Sequence, residues 1–185
     1  MKPRLSIISA VLAGFLVLTS LPAMAQRQHF EAQAMGEGTQ MGRTFAISII
    51  IEQYSPPTDQ KVLLDAFTSG GMDGLVKTIS KMRSKGRVSL PGTTGYEITY
   101  IRVFKTPTGR KIRLVTDRPI TFGEAFSASR SRDYSLSAIE LEIDSNGKGT
   151  GTLLPACQFK FSKEKELEIE AYQNPWRLTN VFEWK

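Results

Sequence analysis

The chain has 185 residues, with 24 Lys and Arg against 18 Asp and Glu, 41% hydrophobic residues, one histidine and one cysteine. That length supports a single sizeable core without staples, and one cysteine excludes an internal disulfide. With His29 alone, a histidine-based metal site, a Ser-His-Asp triad and a Cys-His dyad all lack support.

Lys2 and Arg4 precede a mostly apolar stretch from Leu5 to Leu21, and Pro22-Ala23-Met24-Ala25 supplies small residues before a cut. This predicts residues 1–25 as a cleaved signal peptide, leaving residues 26–185 as a single α+β domain that is periplasmic or secreted. The alternative is a retained membrane anchor, for which Leu5 to Leu21 is short against the roughly 20 apolar residues of a span. No transmembrane segment is expected after cleavage. Losing Lys2 and Arg4 leaves 22 basic and 18 acidic residues, net +4. They are unevenly placed: Gln26 to Asp133 holds 16 basic and 10 acidic residues, Tyr134 to Lys185 only 6 and 8.

His29 to Met35 alternates, with Phe30, Ala32 and Ala34 on one side, and predicts a first strand ended by Gly36 and Gly38. Thr44 to Tyr54 is nearly continuous in β-branched residues with apolar groups on both faces. Such a strand is expected to be central, covered by a helix or by the far wall of a barrel. Ser55-Pro56-Pro57-Thr58-Asp59 predicts a helix start, with Ser55 or Thr58 as cap and Asp59 near the positive dipole end. Val62, Leu63, Ala66 and Phe67 form its apolar stripe, and Ser69-Gly70-Gly71 predicts its exit. Met72, Leu75, Val76, Ile79 and Met82 predict a second helix, with Lys81, Arg83 and Lys85 at its C-terminal end. Its basic polar face suits a membrane surface or an acidic partner, but its narrow stripe without Trp or Phe suits core packing better.

Arg87 to Thr94 is a short extended piece broken by Pro91-Gly92. Tyr96 to Lys105 and Arg110 to Thr116 predict a hairpin around Thr106-Pro107-Thr108-Gly109. Tyr100, Arg102 and Phe104 share one side of its first strand; Ile101 and Val103 share the other. Thr116-Asp117-Arg118-Pro119 ends the second strand, because proline keeps Arg118 out of helical space, and Asp117 is expected to bond its own backbone or pair with Arg118. Phe122 to Tyr134 is a long connection rich in Ser and Arg, and loops of that length often carry function. Leu136 to Asp144, Gly151 to Phe161, Glu166 to Tyr172 and Trp176 to Trp184 predict a four-stranded meander, its first turn carried by Asn146-Gly147. Within it, Cys157 reads as a small buried strand residue, with a reactive or dimer-linking thiol as the other reading.

The expected fold is α+β: a curled or closed antiparallel sheet of about eight strands, barrel-like, with a two-helix insertion after the second strand packing on or plugging the sheet. An open sheet with the helices on one face is the alternative. The stretch Leu63 to Val76 with its Ser-Gly-Gly junction, the Gly95-Tyr96 strand and the Thr116-Asp117-Arg118-Pro119-Ile120 corner together resemble a group of uncharacterised exported bacterial proteins. The resemblance implies an exported single-domain fold and carries no assigned activity.

No glycine-rich phosphate loop, metal-ligand cluster or cofactor signature is present, so a non-enzymatic protein with neither metal nor cofactor is expected. Three functional readings follow. The first is a binding protein holding a small apolar or amphipathic ligand between helices and sheet, with Tyr96, Tyr100, Arg102, Asp117 and Arg118 as candidates, joined by Phe122, Glu124, Phe126, Arg130 and Arg132 of the long loop. The second uses a basic face on an anionic lipid or polymer of the envelope; its residues are Lys77, Lys81, Lys85 and Lys105, with Arg110, Lys111 and Arg113. The same cluster also reads as the solvated faces of one helix and one hairpin. The third is a hydrolase using Asp117 and Glu124, although carboxylates beside arginines are usually structural ion pairs. Export disfavours a nucleic-acid partner.

Overall fold

The structure is a computed structural model that describes residues 27–120 and 134–184. The expected signal peptide lies outside the described residues, as do Phe122, Glu124, Phe126, Arg130 and Arg132 of the long connection. The strands are β1 (Gln28–Gly36), β2 (Thr44–Ile51), β3 (Gly86–Ser89), β4 (Tyr96–Thr106), β5 (Gly109–Thr116), β6 (Leu136–Asp144), β7 (Lys148–Phe161), β8 (Leu167–Gln173) and β9 (Trp176–Trp184). A 3-10 turn, Gly38–Gln40, follows β1, and one helix, α1 (Pro57–Ile79), joins β2 to β3.

The sheet runs β6-β5-β4-β3-β2-β1-β9-β7-β8 and closes on itself because β7 also pairs β6. The result is an eight-stranded antiparallel barrel with β8 as an extra strand outside the ring. Closure rules out the open sheet. The short extended piece after α1 is β3, a full member of the ring between β2 and β4.

The C-terminal strands do not form the expected meander. β9 pairs β7 over Lys148–Leu153 and β8 pairs it over Ala156–Phe161, so the two lie end to end along one long strand. Asn174, at φ +47, turns the corner between them, and β9 then pairs β1. The alternation of Leu167, Ile169 and Ala171 predicts a strand but says nothing about its neighbours, which long-range pairing chose.

Strand parity sorts the apolar residues into two cores. Phe30, Ile47, Ile49, Ile51, Val88, Ile101, Ile112, Leu114, Ile139, Leu141, Leu153 and Trp176 point into the barrel and fill its lumen. One end is sealed by Arg110, whose Nη2 donates to Glu183 Oε2 at 2.7 Å, beside the Tyr54 hydroxyl that donates to Gln28 Oε1 at 2.6 Å. At the other end Trp176 packs against Phe45, ring centroids 4.7 Å apart, and Ile120 enters the lumen from the corner after β5. That corner is tied down by its backbone: Ile120 N donates to Ser137 Oγ at 2.6 Å and Thr116 Oγ1 to Arg118 O at 2.6 Å.

The second core lies on the outer wall. Leu63, Leu75 and Ile79 of α1 pack on Tyr100, Val115, Leu136, Ala138, Leu154, Cys157 and Phe159, and the tip of β8 adds Leu167. The helix therefore packs on the barrel and does not plug it. One helix stands where two were expected. Only Gly71 leaves helical space, at φ +57 and ψ −145, a conformation open to glycine and strained for other residues. The chain bends there, and a Cβ on Gly74 would meet the Ala66 carbonyl oxygen, so the two limbs of one helix touch. Ser69 Oγ and Thr68 Oγ1 donate to the carbonyls of Asp65 and Leu64 at 2.9 and 2.8 Å, a back-bonding that favours a bend in the helix just before Gly71. Neither expected cap forms: Ser55 Oγ accepts from Ile101 N at 3.0 Å, because the chain before α1 still pairs with β4.

Candidate functional site

Most of the basic cluster is neutralised inside the molecule. Arg102 forms a two-pronged contact with Glu166, at 3.2 and 2.5 Å. Glu140 takes Lys111 at 2.8 Å and Arg113 at 2.7 Å, and Arg113 also donates to the Leu167 carbonyl. Burial pushes the Glu140 carboxyl up, but the bonds from Lys111 and Arg113 outweigh it and hold the group below the usual range. Arg102 and Arg113 also sit over the Phe104 ring, at 5.9 and 5.4 Å. The basic excess of the first two thirds of the chain thus meets the acidic excess of the last third, between the paired strands β5 and β6 at Glu140 and between unpaired segments at Glu166 and Glu183.

The cluster is also not one face. Arg110 lies on the lumen side of β5 in its pair with Glu183, whereas Lys111 and Arg113 lie on the outer wall. Lys85, expected at the C-terminal end of a helix, is 5% exposed and reaches back to Asp59 in the first turn of α1, at 3.0 Å. Lys77, Lys81 and Lys105 are exposed.

The candidates around the corner are largely structural. Asp117 Oδ2 lies 3.7 Å from Arg118 Nη1, and Asp117 N donates to Glu97 O at 3.2 Å. The Arg118 guanidinium stands 5.4 Å over the Tyr96 ring. Tyr100 is fully buried in the outer core, its hydroxyl without a hydrogen-bond partner among the described residues, and burial pushes its pKa up to about 12. Cys157 is buried with its Sγ 3.4 Å from the Leu136 carbonyl, and burial pushes its pKa up, against thiolate chemistry. Among the described residues no group of three His, Cys, Asp or Glu side chains could hold a metal ion.

A surface that the sequence reading did not single out is better suited to binding. On the outer wall of β1, β2 and β9 lies a shallow furrow of about 290 Å³, bordered by Glu31, Gln33, Ala46, Ser48, Asn180 and Phe182 and, from the segment after β3, by Pro91. Beside it Trp184 is 53% exposed and Phe182 40%. Their rings meet edge to face at 5.5 Å, and His29 stacks on Trp184 at 6.3 Å while its Nε2 lies 2.8 Å from Ser48 Oγ. The available signal was the run Val181-Phe182-Glu183-Trp184, in which Phe182 and Trp184 share the parity opposite Val181. Two other furrows, of about 500 and 300 Å³, are bordered by Arg110 and by Arg113 with Glu140, groups already committed to internal ion pairs.

Among the described residues no helix is long and apolar enough to cross a membrane. Comparison of the chain with protein-family models, with curated proteins and with solved structures found no match.

Proposed function

We propose that the chain is an exported, non-enzymatic binding protein that meets its ligand on the outer wall of the barrel, at the aromatic furrow of β1, β2 and β9. The observation that carries this reading is the exposed pair Phe182 and Trp184, set edge to face at a furrow of hydrogen-bonding side chains. Exposed aromatics on a rigid sheet offer binding area at little entropic cost, and isolated folding gains nothing from leaving them in water. A ligand in the lumen would have to displace Ile49, Leu114 and Leu141, all fully buried. One between α1 and the sheet would have to displace Leu63, Leu75 and Phe159, also fully buried. An anionic partner finds few free cations in the basic cluster, since Lys85, Arg102, Arg110, Lys111 and Arg113 already face carboxylates.

The test is co-sedimentation of the mature protein with envelope fragments of its own host. The wild type should sediment, and a Phe182→Ala/Trp184→Ala variant should bind at least about tenfold more weakly, the effect of losing one well-placed aromatic contact. Both side chains are half exposed, so the variant should keep its thermal midpoint. Equal sedimentation of the two proteins, or none by either, would overturn the reading.

A further inference from the structure

Resting on that reading, we propose that the furrow of β1, β2 and β9 takes a neutral glycan chain. The chemistry of the lining decides the ligand class. A sugar ring has an apolar face of C–H groups and a rim of hydroxyls that both donate and accept. Here Phe182 in the furrow and Trp184 beside it offer ring surface, while Glu31, Gln33, Ser48 and Asn180 offer acceptors, amide donors and a hydroxyl along the furrow. Such a mixture matches a polyol with one apolar face better than it matches a wholly apolar ligand, which would offer no hydrogen bond to Gln33 or Asn180 and would desolvate Glu31.

Charge narrows the class further. Among the described residues no Lys or Arg lines the furrow, and its one carboxylate, Glu31, has only His29 within ion-pair reach, at 3.9 Å. An anionic lipid or a phosphorylated polymer would meet that acid with no cation to offset it. The furrow holds about 290 Å³, at the lower end of small-ligand pockets, and it lies open along the barrel wall, which suits a short stretch of a longer chain.

The backbone is arranged for this surface. Between Glu31 and Gln33 the register of β9 shifts, so that Asn180 and Val181 stand opposite Ala32 alone. Asn180 is the bulged residue, at φ +51, a left-handed conformation that asparagine tolerates better than most side chains. Bulges bend a strand and re-aim a side chain, and here the re-aimed side chain borders the furrow. His29 completes the arrangement by stacking on Trp184, which restricts the indole before any ligand arrives.

The test uses soluble neutral oligosaccharides of glucose, mannose and N-acetylglucosamine, each a tetrasaccharide, titrated to millimolar concentration while tryptophan emission is followed. Trp176 is sealed in the lumen, so a ligand-dependent change reports Trp184. At least one sugar should shift the emission saturably and protect the indole from acrylamide quenching. Trp184→Phe should lose the signal, and calorimetry should find binding to Trp184→Ala at least about tenfold weaker and to Gln33→Ala about fivefold weaker. Affinity should not change with salt. No response to any of the sugars, or affinity that falls steeply with salt, would overturn the proposal. Competition with the soluble tetrasaccharides separates the two readings. Sedimentation that needs Phe182 and Trp184 yet is displaced by none of them would leave the binding surface standing and assign it to a protein partner. Sugar binding at Trp184 without any envelope sedimentation would keep the glycan site and overturn the envelope as its source.

Discussion

The lumen and the outer core are built from opposite faces of the same strands, yet they are held in different ways. The lumen is closed by geometry: side chains from every strand of the ring meet there, almost all aliphatic, and strand pairing leaves the ring no open edge. The outer core depends on α1 and on the β7–β8 hairpin staying in place, and a few polar pins hold them. Lys85 grips Asp59 at 3.0 Å, Gln60 Nε2 donates to Lys165 O at 2.6 Å, and Phe67 meets Phe161 at 5.5 Å. On β1, β2 and β9 no helix of the described residues covers the same outer wall, and the aromatic furrow lies there. A barrel that carries its stability inside can use one outer flank for a second core and leave the other for binding.

Truncations should separate the two cores, with the largest effect in the lumen. Trp176→Ala should cost about 3–5 kcal/mol of global stability, because a fully buried ring would leave a cavity in a closed ring of strands. Leu75→Ala, equally buried but under α1, should cost about 2–3 kcal/mol, and hydrogen exchange should show α1 losing protection before the barrel strands. Uniform loss of protection across both regions in the Leu75 variant would show that the cores unfold as one unit.

Next in size is the pin at the start of α1. Lys85→Met leaves Asp59 facing a buried site without its partner and should cost about 3 kcal/mol in chemical denaturation. Lys85→Met combined with Asp59→Leu should recover most of that loss, since an apolar pair of similar volume avoids the desolvation of both charges. A double variant as unstable as the single one would assign the loss to packing of the lysine stem.

The smallest effect concerns Tyr100, whose buried hydroxyl has no bonding partner among the described residues. Burial raises its pKa to about 12, while Arg102 and Arg113 pull it down and Glu166 and Asp59 add to the rise. An unfolded tyrosine ionises near 10, so the unfolded chain releases this proton first. The stability contributed by the protonated group is complete below about pH 10 and is lost as pH rises from there toward 12. Tyr100→Phe should change neutral-pH stability by no more than about 1 kcal/mol and should flatten the alkaline decline. Parallel alkaline slopes in the two proteins would mean that the outer core admits water at Tyr100.

Much of the fold was legible because local rules bear on it. Phe30, Ala32 and Ala34 share a face, Ile139, Leu141 and Ile143 point inward, and Pro57 opens the helix, all as period and propensity predict. Met72, Leu75, Val76, Ile79 and Met82 pack on the outer core, as their narrow stripe predicts. The Ser-Gly-Gly junction was located but misjudged, because two helices and one bent helix differ only in the conformation of Gly71. The basic cluster was misread for a related reason. Its partners Glu140, Glu166 and Glu183 are distant in sequence, and a tally of charges along the chain does not show them.

By itself the amino-acid sequence determined which segments become strands, which face of each is apolar, where the helix begins and where the chain must turn. These are properties of neighbouring residues: side-chain alternation, proline and glycine geometry, and β-branching. Tertiary structure alone decided that the sheet closes, that β8 and β9 share one long partner, and that the charges cancel across strands. It also decided which aromatics stay in water. Phe182, Trp184 and Trp176 sit on one strand, but only the bulge at Asn180 and the pairing with β1 place the first two outside and the third within the lumen. Each of these outcomes depends on contacts between residues far apart in the chain, and such contacts are settled by the free energy of the whole barrel.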